Sequence, residues 1–307
     1  MKHHLSHLNQ EMAVVKLKDK NLIIKGIGGF YYVKTADSVV ESKAKGIFRK
    51  EGITPLAGDY VDIGITNGDY FIDRIHDRKN FFIRPPAANI DQIFMVVSTI
   101  HPLPNRLVLD KLLAIGEQKQ IDITILLTKT DLKKDDSFFE TYTNVGYEVI
   151  DARKDFSSAK ERILILMQGK VSLFVGNSGT GKTTLLNDLF GMQLKTDETS
   201  LKLGRGKHTT RAVELYDIGS GYVADSPGFS AVDIERAEYI PKEELQHLFI
   251  DIAPYVQDCQ FRGCSHTSEP GCAVIDATGR GLIEQTRYDS YLTLYKKAEE
   301  LNPWEQK

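Results

Sequence analysis

Three stretches of different rhythm predict a multidomain α/β protein. An N-terminal β-barrel, a mostly parallel α/β domain built on a phosphate-binding loop, and a C-terminal helical domain with a metal knuckle follow one another. The first observation is a series of short, turn-broken strands up to about Pro85. The second is the octet "GNSGTGKT" at Gly176–Thr183, set between an apolar strand and a helix. The third is that all three cysteines fall between Cys259 and Cys272.

Composition narrows the classes. The chain of 307 residues has room for about two domains at the usual ~150 residues each. A hydrophobic share of 41% with 26% charged residues suits a globular protein with a real core. The longest apolar runs, such as Ile93–Ile100, fall far short of the ~20 residues that span a bilayer, so no membrane association is expected. "MKHHLSHLNQ" lacks the apolar centre of a signal peptide, which makes a cytoplasmic location the expectation. Residues 1–11, with His3, His4 and His7, read as a solvated appendage. A formal net charge of −3 means that contact with a polyanion must come from local patches. An odd, tightly spaced set of cysteines without a secretion signal argues for a metal site rather than disulfides.

From 12 to 85, "MAVVKLK", "NLIIK", "GFYYVK", "GIFRK", "DYVDIGIT" and "YFIDRI" alternate or carry β-branched and aromatic residues, as short strands do. Asn67-Gly68 between the last two is a hairpin turn, because both positions need positive φ. Such strands in so short a span suggest a small barrel, with an OB-fold the commonest candidate and a small sandwich the alternative. "RPPAAN" at Arg84–Asn89 is a punctuated linker. Residues 86–232 then alternate apolar strands with helix-length segments at Arg106–Gln118, Lys134–Thr143 and Ala159–Met167, which means a parallel sheet with crossovers. From 233 to 307 the pattern is helical, interrupted by the Cys/His cluster.

Gly176, Gly181, Lys182 and Thr183 complete G-x-x-x-x-G-K-[ST], with Asn177, Ser178, Gly179 and Thr180 inside the loop and Thr184 just after it. Val171–Val175 before it and "TTLLNDLF" after it supply the strand and helix the motif requires. Glycines let the backbone wrap phosphates, and successive N–H groups with the helix N-terminus supply positive potential. Lys182 reaches the β- and γ-phosphates in this reading, and Thr183 ligates Mg²⁺.

"TKTD", Thr128, Lys129, Thr130 and Asp131, follows the apolar strand Ile121–Leu127, and ligands of open α/β sheets bind at the carboxyl ends of strands. The Asp131 carboxylate is acceptor-only and can take two hydrogen bonds from guanine N1–H and its exocyclic amine. Adenine offers neither donor, so this site rejects it. Lys129 would lay its stem along the base. "DSPG" fits D-x-x-G, with Asp225 holding Mg²⁺ through water and the Gly228 N–H on the γ-phosphate. The basic loop "LGRGKHTTR" precedes it, and Thr209 or Thr210 can bind Mg²⁺ when the γ-phosphate is present. An ordinary GTPase has its phosphate loop first and its guanine reader late. Here the order is reversed, as in a circularly permuted P-loop GTPase domain, where the old ends are joined and a surface loop is cut.

With "ANIDQ", "TKTD", "GNSGTGKT", "LGRGKHTT", "DSPGF" and "CQFRGCSHTSEPGCAV" in that order, the chain resembles the RsgA (YjeQ/YloQ) family from Met12 onward. The resemblance implies an N-terminal OB-fold, a permuted GTPase, a C-terminal zinc domain, and action on the small ribosomal subunit and its rRNA. Two departures stand out. Asp151-Ala152 replaces the family's usual Ser-Ala, leaving Ala152 to offer its N–H to guanine O6. Gly179 stands where some potassium-dependent GTPases carry asparagine, so no activating K⁺ is expected.

Cys259, Cys264, His266 and Cys272 form C-x4-C-x-H-x5-C, three thiolates and an imidazole that close a tetrahedron without an open position. One structural Zn²⁺ is therefore expected, and the resemblance implies the same four ligands. His247 is a spare candidate, more in keeping with a solvated helix residue. Phe229 occupies the place where many GTPases carry a water-orienting glutamine. His208 is the candidate for that task, with a loop histidine that contacts RNA as the alternative. For RNA, Lys43, Lys45, Arg49 and Lys50 mark the barrel, with Phe48, Tyr31 and Tyr32 as stacking candidates against an ordinary core role. Lys202, Arg205, Lys207 and Arg211 make the switch loop basic.

The leading expectation is a monomeric hydrolase of GTP to GDP that acts on the small ribosomal subunit. A P-loop ATPase or nucleotide kinase with a zinc-stapled lid is a second reading, against which "TKTD" and "DSPG" speak. An RNA-binding assembly factor using GTP as a slow switch is a third.

Overall fold

The computed structural model describes residues 21–133, 136–192, 213–225 and 231–300. The barrel consists of β1 (Leu22–Ile27), β2 (Phe30–Lys34), β3 (Val39–Ala44), α1 (Gly46–Lys50), β4 (Val61–Thr66) and β5 (Asp69–Ile75). Its strands run in the order β1-β2-β3-β5-β4. Closure comes from Leu22 bridging Tyr60 and from Ile23 N–H donating to Asp59 O at 2.9 Å. Ile23, Val33, Phe48, Val61 and Ile72 fill the inside. This is the OB-fold arrangement. The Asn67-Gly68 turn stands as expected, with φ of 53° and 84° and Thr66 paired to Asp69.

Two barrel elements differ from the sequence expectation. "GIFRK" is the helix α1, not a strand, and "VVESKA" is the strand β3, which the pattern did not reveal. Five residues cannot display a helical period, and α1 buries a single side chain, Phe48. In β3 the buried position is Ser42, so the apolar alternation of a strand is missing. "MAVVKLK" and the N-terminal appendage lie outside the described residues.

The linker folds into a small hairpin, β6 (Phe81–Phe82) and β7 (Ala87–Ala88). The α/β domain follows with β8 (Gln92–Ser98), α2 (Arg106–Lys119), β9 (Asp122–Thr128), α3 (Asp136–Val145), β10 (Glu148–Asp151) and α4 (Phe156–Leu166). It continues with β11 (Val171–Val175), α5 (Lys182–Phe190), β12 (Glu214–Asp217) and β13 (Tyr222–Asp225). Asn105 and Asp155 start α2 and α4 by accepting N–H bonds from Val108 and Ser158.

The strand order is β10-β9-β8-β11-β13-β12, and all but β12 are parallel to their neighbours. Alternate residues of β8 face opposite layers. Ile93, Met95 and Val97 pack with α2 and α3, whereas Phe94 and Val96 pack with α4 and α5. Burial on both faces is why these strands read as continuous apolar runs. A short turn joins α4 to β11, closed by Lys170 N–H donating to Met167 O at 3.1 Å. Beyond β12 the sheet continues into the barrel. Lys25 pairs with Glu214 across β1 and β12, and their side chains form an ion pair at 2.9 Å.

The C-terminal helices are α6 (Ala231–Ala237), α7 (Lys242–Leu248), a 3-10 turn at Ala253–Asp258, α8 (Ala273–Gly279) and α9 (Gln285–Glu300). Leu245, Phe249, Val274 and Tyr291 share one apolar core with Val108 and Leu112 of α2. Arg287 on α9, 1% exposed, binds Asp251 through Nε and Nη2 at 3.1 and 2.7 Å and Asp110 of α2 through Nη1 at 2.8 Å. Among the described residues, no helix is long and apolar enough to cross a membrane.

Candidate functional site

Parallel strands put their carboxyl ends on one edge, and there the sequence motifs meet. Ser98 of β8 lies opposite Thr128 of β9, and Asp151 of β10 lies opposite Leu127. The loop after β11 crosses the same edge, and Asp225 ends β13 beside it.

The phosphate loop is shaped by its glycines. Gly181 has φ 87°, and a Cβ at Gly176 would stand 2.9 Å from Val96 O. Thr180, buried, donates N–H and Oγ1 to Asn177 O at 3.2 and 2.9 Å, closing the turn through Ser178 and Gly179. Gly181 begins α5 without a side-chain cap, so the first N–H groups of α5 present the arrangement that a phosphate satisfies. Lys182 Nζ lies 2.6 Å from Asp225 Oδ1, with exposures of 13% and 7%. Thr183 is half-buried and Thr184 exposed on the first turn of α5.

Thr128 and Lys129 fasten the reader to this loop. Thr128 Oγ1 donates to Thr180 O at 2.6 Å, and Lys129 Nζ donates to Gly179 O at 2.8 Å and to His101 O at 2.6 Å. Lys129 itself has φ 60°. Asp131 stands exposed at the turn that follows. Ala152 N–H donates to Leu127 O at 2.9 Å, completing the β10–β9 ladder. The O6 contact considered for it is therefore corrected: that donor is already engaged. Gly228 and Phe229, His208, Thr209, Thr210 and the basic switch-loop residues Lys202, Arg205, Lys207 and Arg211 lie outside the described residues.

The residues present fit a guanine nucleotide: an uncapped helix N-terminus, a lysine at its first turn, and a carboxylate-bearing loop bonded to the phosphate loop at Gly179 and Thr180. The Asp225 carboxylate and the Thr183 hydroxyl, on the first turn of α5, are oxygen donors of the kind a hard cation takes.

The metal knuckle is equally compact. The ligand atoms of Cys259, Cys264, His266 and Cys272 lie within 4.8 Å of one another. Cys259 Sγ and Cys272 Sγ are 3.9 Å apart, and His266 Nδ1 is 3.4 Å from each. A tetrahedral zinc with Zn–S of about 2.3 Å and Zn–N of about 2.0 Å has edges of about 3.8 and 3.5 Å, so the set fits zinc. Burial pushes the Cys264 thiol up to about 12 and lowers His266, which favours the neutral imidazole. A metal bound there would stabilise the thiolate forms of Cys259, Cys264 and Cys272.

Several partners here escaped sequence reasoning. His266 Nε2 faces Gln246 Oε1 at 2.8 Å, which turns Nδ1 toward the cysteines. Glu269 accepts from Ser265 N and Oγ at 2.6 Å and from Thr267 N and Ser268 N at 3.0 and 3.1 Å. Burial would raise its carboxyl, but these bonds outweigh burial and hold it down at about 2. Tyr288 and Tyr291 of α9 donate to the carbonyls of His266 and Ser265 at 2.8 and 2.9 Å. None of these has a local motif. His247 is exposed and outside the ligand cluster.

On the barrel, Phe48 belongs to the core at 7% exposure, which removes it as a stacking residue. Tyr31 packs against that core, and Tyr32 donates to Glu41 at 3.0 Å. Lys43 and Lys45 are paired to Asp69 and Asp73 at 3.2 and 2.8 Å, whereas Arg49 and Lys50 stand exposed at the end of α1.

A sheet whose guanine reader precedes its phosphate loop, yet touches it, defines a circularly permuted P-loop GTPase flanked by an OB-fold and a zinc-type knuckle. The chain belongs to the RsgA GTPase family. That family's model matches residues 75–235, and the RsgA N-terminal domain matches 20–70. "Small ribosomal subunit biogenesis GTPase RsgA" of Streptococcus pneumoniae serotype 4 is 42% identical over 283 residues, covering 90% of this chain and 94% of that one. Its namesake from Geobacillus sp. strain WCH70 is 40% identical, covering 92% and 98%. Among solved structures, YloQ, a circularly permuted GTPase, matches at 36% identity with TM-score 0.72, covering 92% and 96%. YjeQ from Thermotoga maritima matches at 26% identity with TM-score 0.74, covering 92% and 99%.

Proposed function

We propose that this chain hydrolyses GTP to GDP and phosphate in the biogenesis of the small ribosomal subunit, as the names of its relatives state for them. The single observation that carries the chemistry is the bonding of Thr128 and Lys129 to the phosphate loop, which sets a guanine reader and a triphosphate cradle at a fixed separation. In this reading Asp131 takes the base, and Lys182 leaves Asp225 for the β- and γ-phosphates. Thr183, and Asp225 through water, would hold Mg²⁺, with Thr209 or Thr210 as a further ligand when the γ-phosphate is present, and the Gly228 N–H would donate to that phosphate. Cys259, Cys264, His266 and Cys272 hold one structural Zn²⁺. The chain is divided at 85/86 and 232/233 into barrel, GTPase and zinc domains, acts as a monomer in the cytoplasm, and meets rRNA through Arg49, Lys50 and the basic switch loop.

With Phe229 unable to orient water, turnover by the free protein is slow, and His208 takes that role when the switch loop is ordered on the subunit. Steady-state GTP turnover, alone and with purified small or large subunits, tests the reading. Stimulation by small subunits alone supports it; equal slow turnover in all three rejects the partner. If His208→Ala left the stimulated rate unchanged, the water-positioning role would be lost. Binding of ATP as tightly as GTP would favour the ATPase or kinase alternative.

A further inference from the structure

The third residue of the reader motif is held by a carboxylate outside the motif. Thr130, 8% exposed, donates its hydroxyl to Asp151 Oδ1 at 2.6 Å. The same oxygen accepts the N–H groups of Arg153 and Lys154, each at 3.0 Å. Ala152 N–H, engaged on Leu127 O, fixes the backbone between them from the other side. One carboxylate oxygen therefore ties the turn after β10 to the residue immediately before Asp131. A carboxylate cannot donate, so Thr130 must be the donor, and this leaves its side chain one orientation. The stretch is demanding, because Lys129 sits in the left-handed region at φ 60°, where a side chain is kept only by surrounding contacts.

We propose that Asp151 is a positioning residue for guanine recognition, acting through Thr130 to set the angle at which Asp131 meets the base. The proposal rests on the reading that Asp131 binds guanine. A serine at 151, the usual residue in the resembled family, offers a neutral oxygen. Here three donors converge on one oxygen, an arrangement that a charged acceptor holds more strongly. Asp151 and Thr130 thus form a matched donor–acceptor pair, and the departure from Ser-Ala at 151 changes how the loop is held without removing the base reader.

The test is GDP and IDP affinity of the full-length chain, read by a fluorescent nucleotide, for Thr130→Val, Asp151→Ala and the double variant. Each single change raises the GDP dissociation constant about tenfold, the scale of one charge-assisted hydrogen bond. The double variant is no weaker than the weaker single one, because both remove the same contact. IDP lacks the exocyclic amine, so a mis-set Asp131 weakens GDP more than IDP, and the preference for GDP shrinks. Asp151→Asn and Thr130→Ser keep acceptor and donor and stay within about threefold of the parent. Thr130→Val leaves the turn at Arg153 and Lys154 untouched, so it carries the test even where Asp151→Ala unfolds the chain. Multiplying losses in the double variant, or equal loss of GDP and IDP, would overturn the proposal. A parent protein that prefers ADP to GDP would instead overturn the reader assignment beneath it.

Discussion

The hydroxyl of Thr128 donates to the carbonyl of Thr180 at 2.6 Å, joining two motifs that stand in reversed order along the chain. Thr128 is 1% exposed, so the bond is shielded from water. Its partner loop receives a second bond from Lys129 at 2.8 Å, so the two motifs are joined at two points. These contacts, and not connectivity, hold the two motifs side by side despite their reversed order.

Thr128→Val should therefore weaken GDP and GTP alike, by about fivefold for one neutral hydrogen bond, while the preference for guanine over other bases stays unchanged. Titration with GDP, GTP and xanthosine diphosphate checks this. A change of base preference would show that Thr128 belongs to base reading itself.

Asp131→Asn should do the reverse. The asparagine amide offers a donor where the carboxylate offered an acceptor, and xanthine presents a carbonyl where guanine has its amine. GTP affinity is expected to fall at least about 100-fold and xanthosine triphosphate to become the better ligand, because mismatched buried polar groups are left unpaired. Competition binding between the two nucleotides reads the exchange directly. Unaltered GTP binding would remove Asp131 from the base site.

How much of this was legible depends on whether a residue's role is local. The phosphate loop, "TKTD" and the four Cys/His residues carry their chemistry in spacing: the first two meet at one sheet edge, and the last four gather in a separate cluster. Phe48 misled because an aromatic in a barrel reads the same whether it stacks on a base or plugs the core, and only closure of the barrel decides. The core that α2 shares with the C-terminal helices was not legible either, since it is made of contacts between residues distant in sequence and not of local pattern. Asp110, Gln246, Asp251 and Arg287 were invisible for the same reason. Each is an ordinary surface-type residue until long-range contacts engage it, which leaves Asp110 and Arg287 buried and Gln246 and Asp251 half-buried.

Arg287 is the clearest case. Its guanidinium is buried between Asp251 and Asp110, holding α9 to α2. Burial raises the Asp110 carboxyl, while Arg287 and the Tyr142 hydroxyl at 2.9 Å oppose that shift. Removing the cation strands two carboxylates in the core. Arg287→Met should cost about 3–5 kcal/mol of stability, measured by denaturant unfolding. Arg287→Lys should recover little of it, because an ammonium cannot reproduce the fork that reaches both aspartates. A loss under about 1 kcal/mol would mean that the network is incidental to joining the domains.

Gln246 turns the metal knuckle into a testable unit. Its Oε1 faces His266 Nε2 at 2.8 Å, and its amide nitrogen lies 3.3 Å from His247 Nε2, so the amide is oriented from both ends. With Nε2–H directed at Gln246, His266 keeps its Nδ1 lone pair for the metal, and the ring cannot swing away from Cys259 and Cys272. Gln246→Ala should therefore weaken zinc affinity by about 10- to 100-fold in chelator competition while leaving one zinc per chain at saturation. Cys272→Ser, which removes a ligand, should abolish stoichiometric binding. Both changes should make thermal unfolding sensitive to chelator at concentrations that leave the parent intact, since metal binding and folding are linked. An unchanged affinity in Gln246→Ala would show that Tyr288 and Tyr291, which hold the His266 and Ser265 carbonyls, orient the imidazole without help.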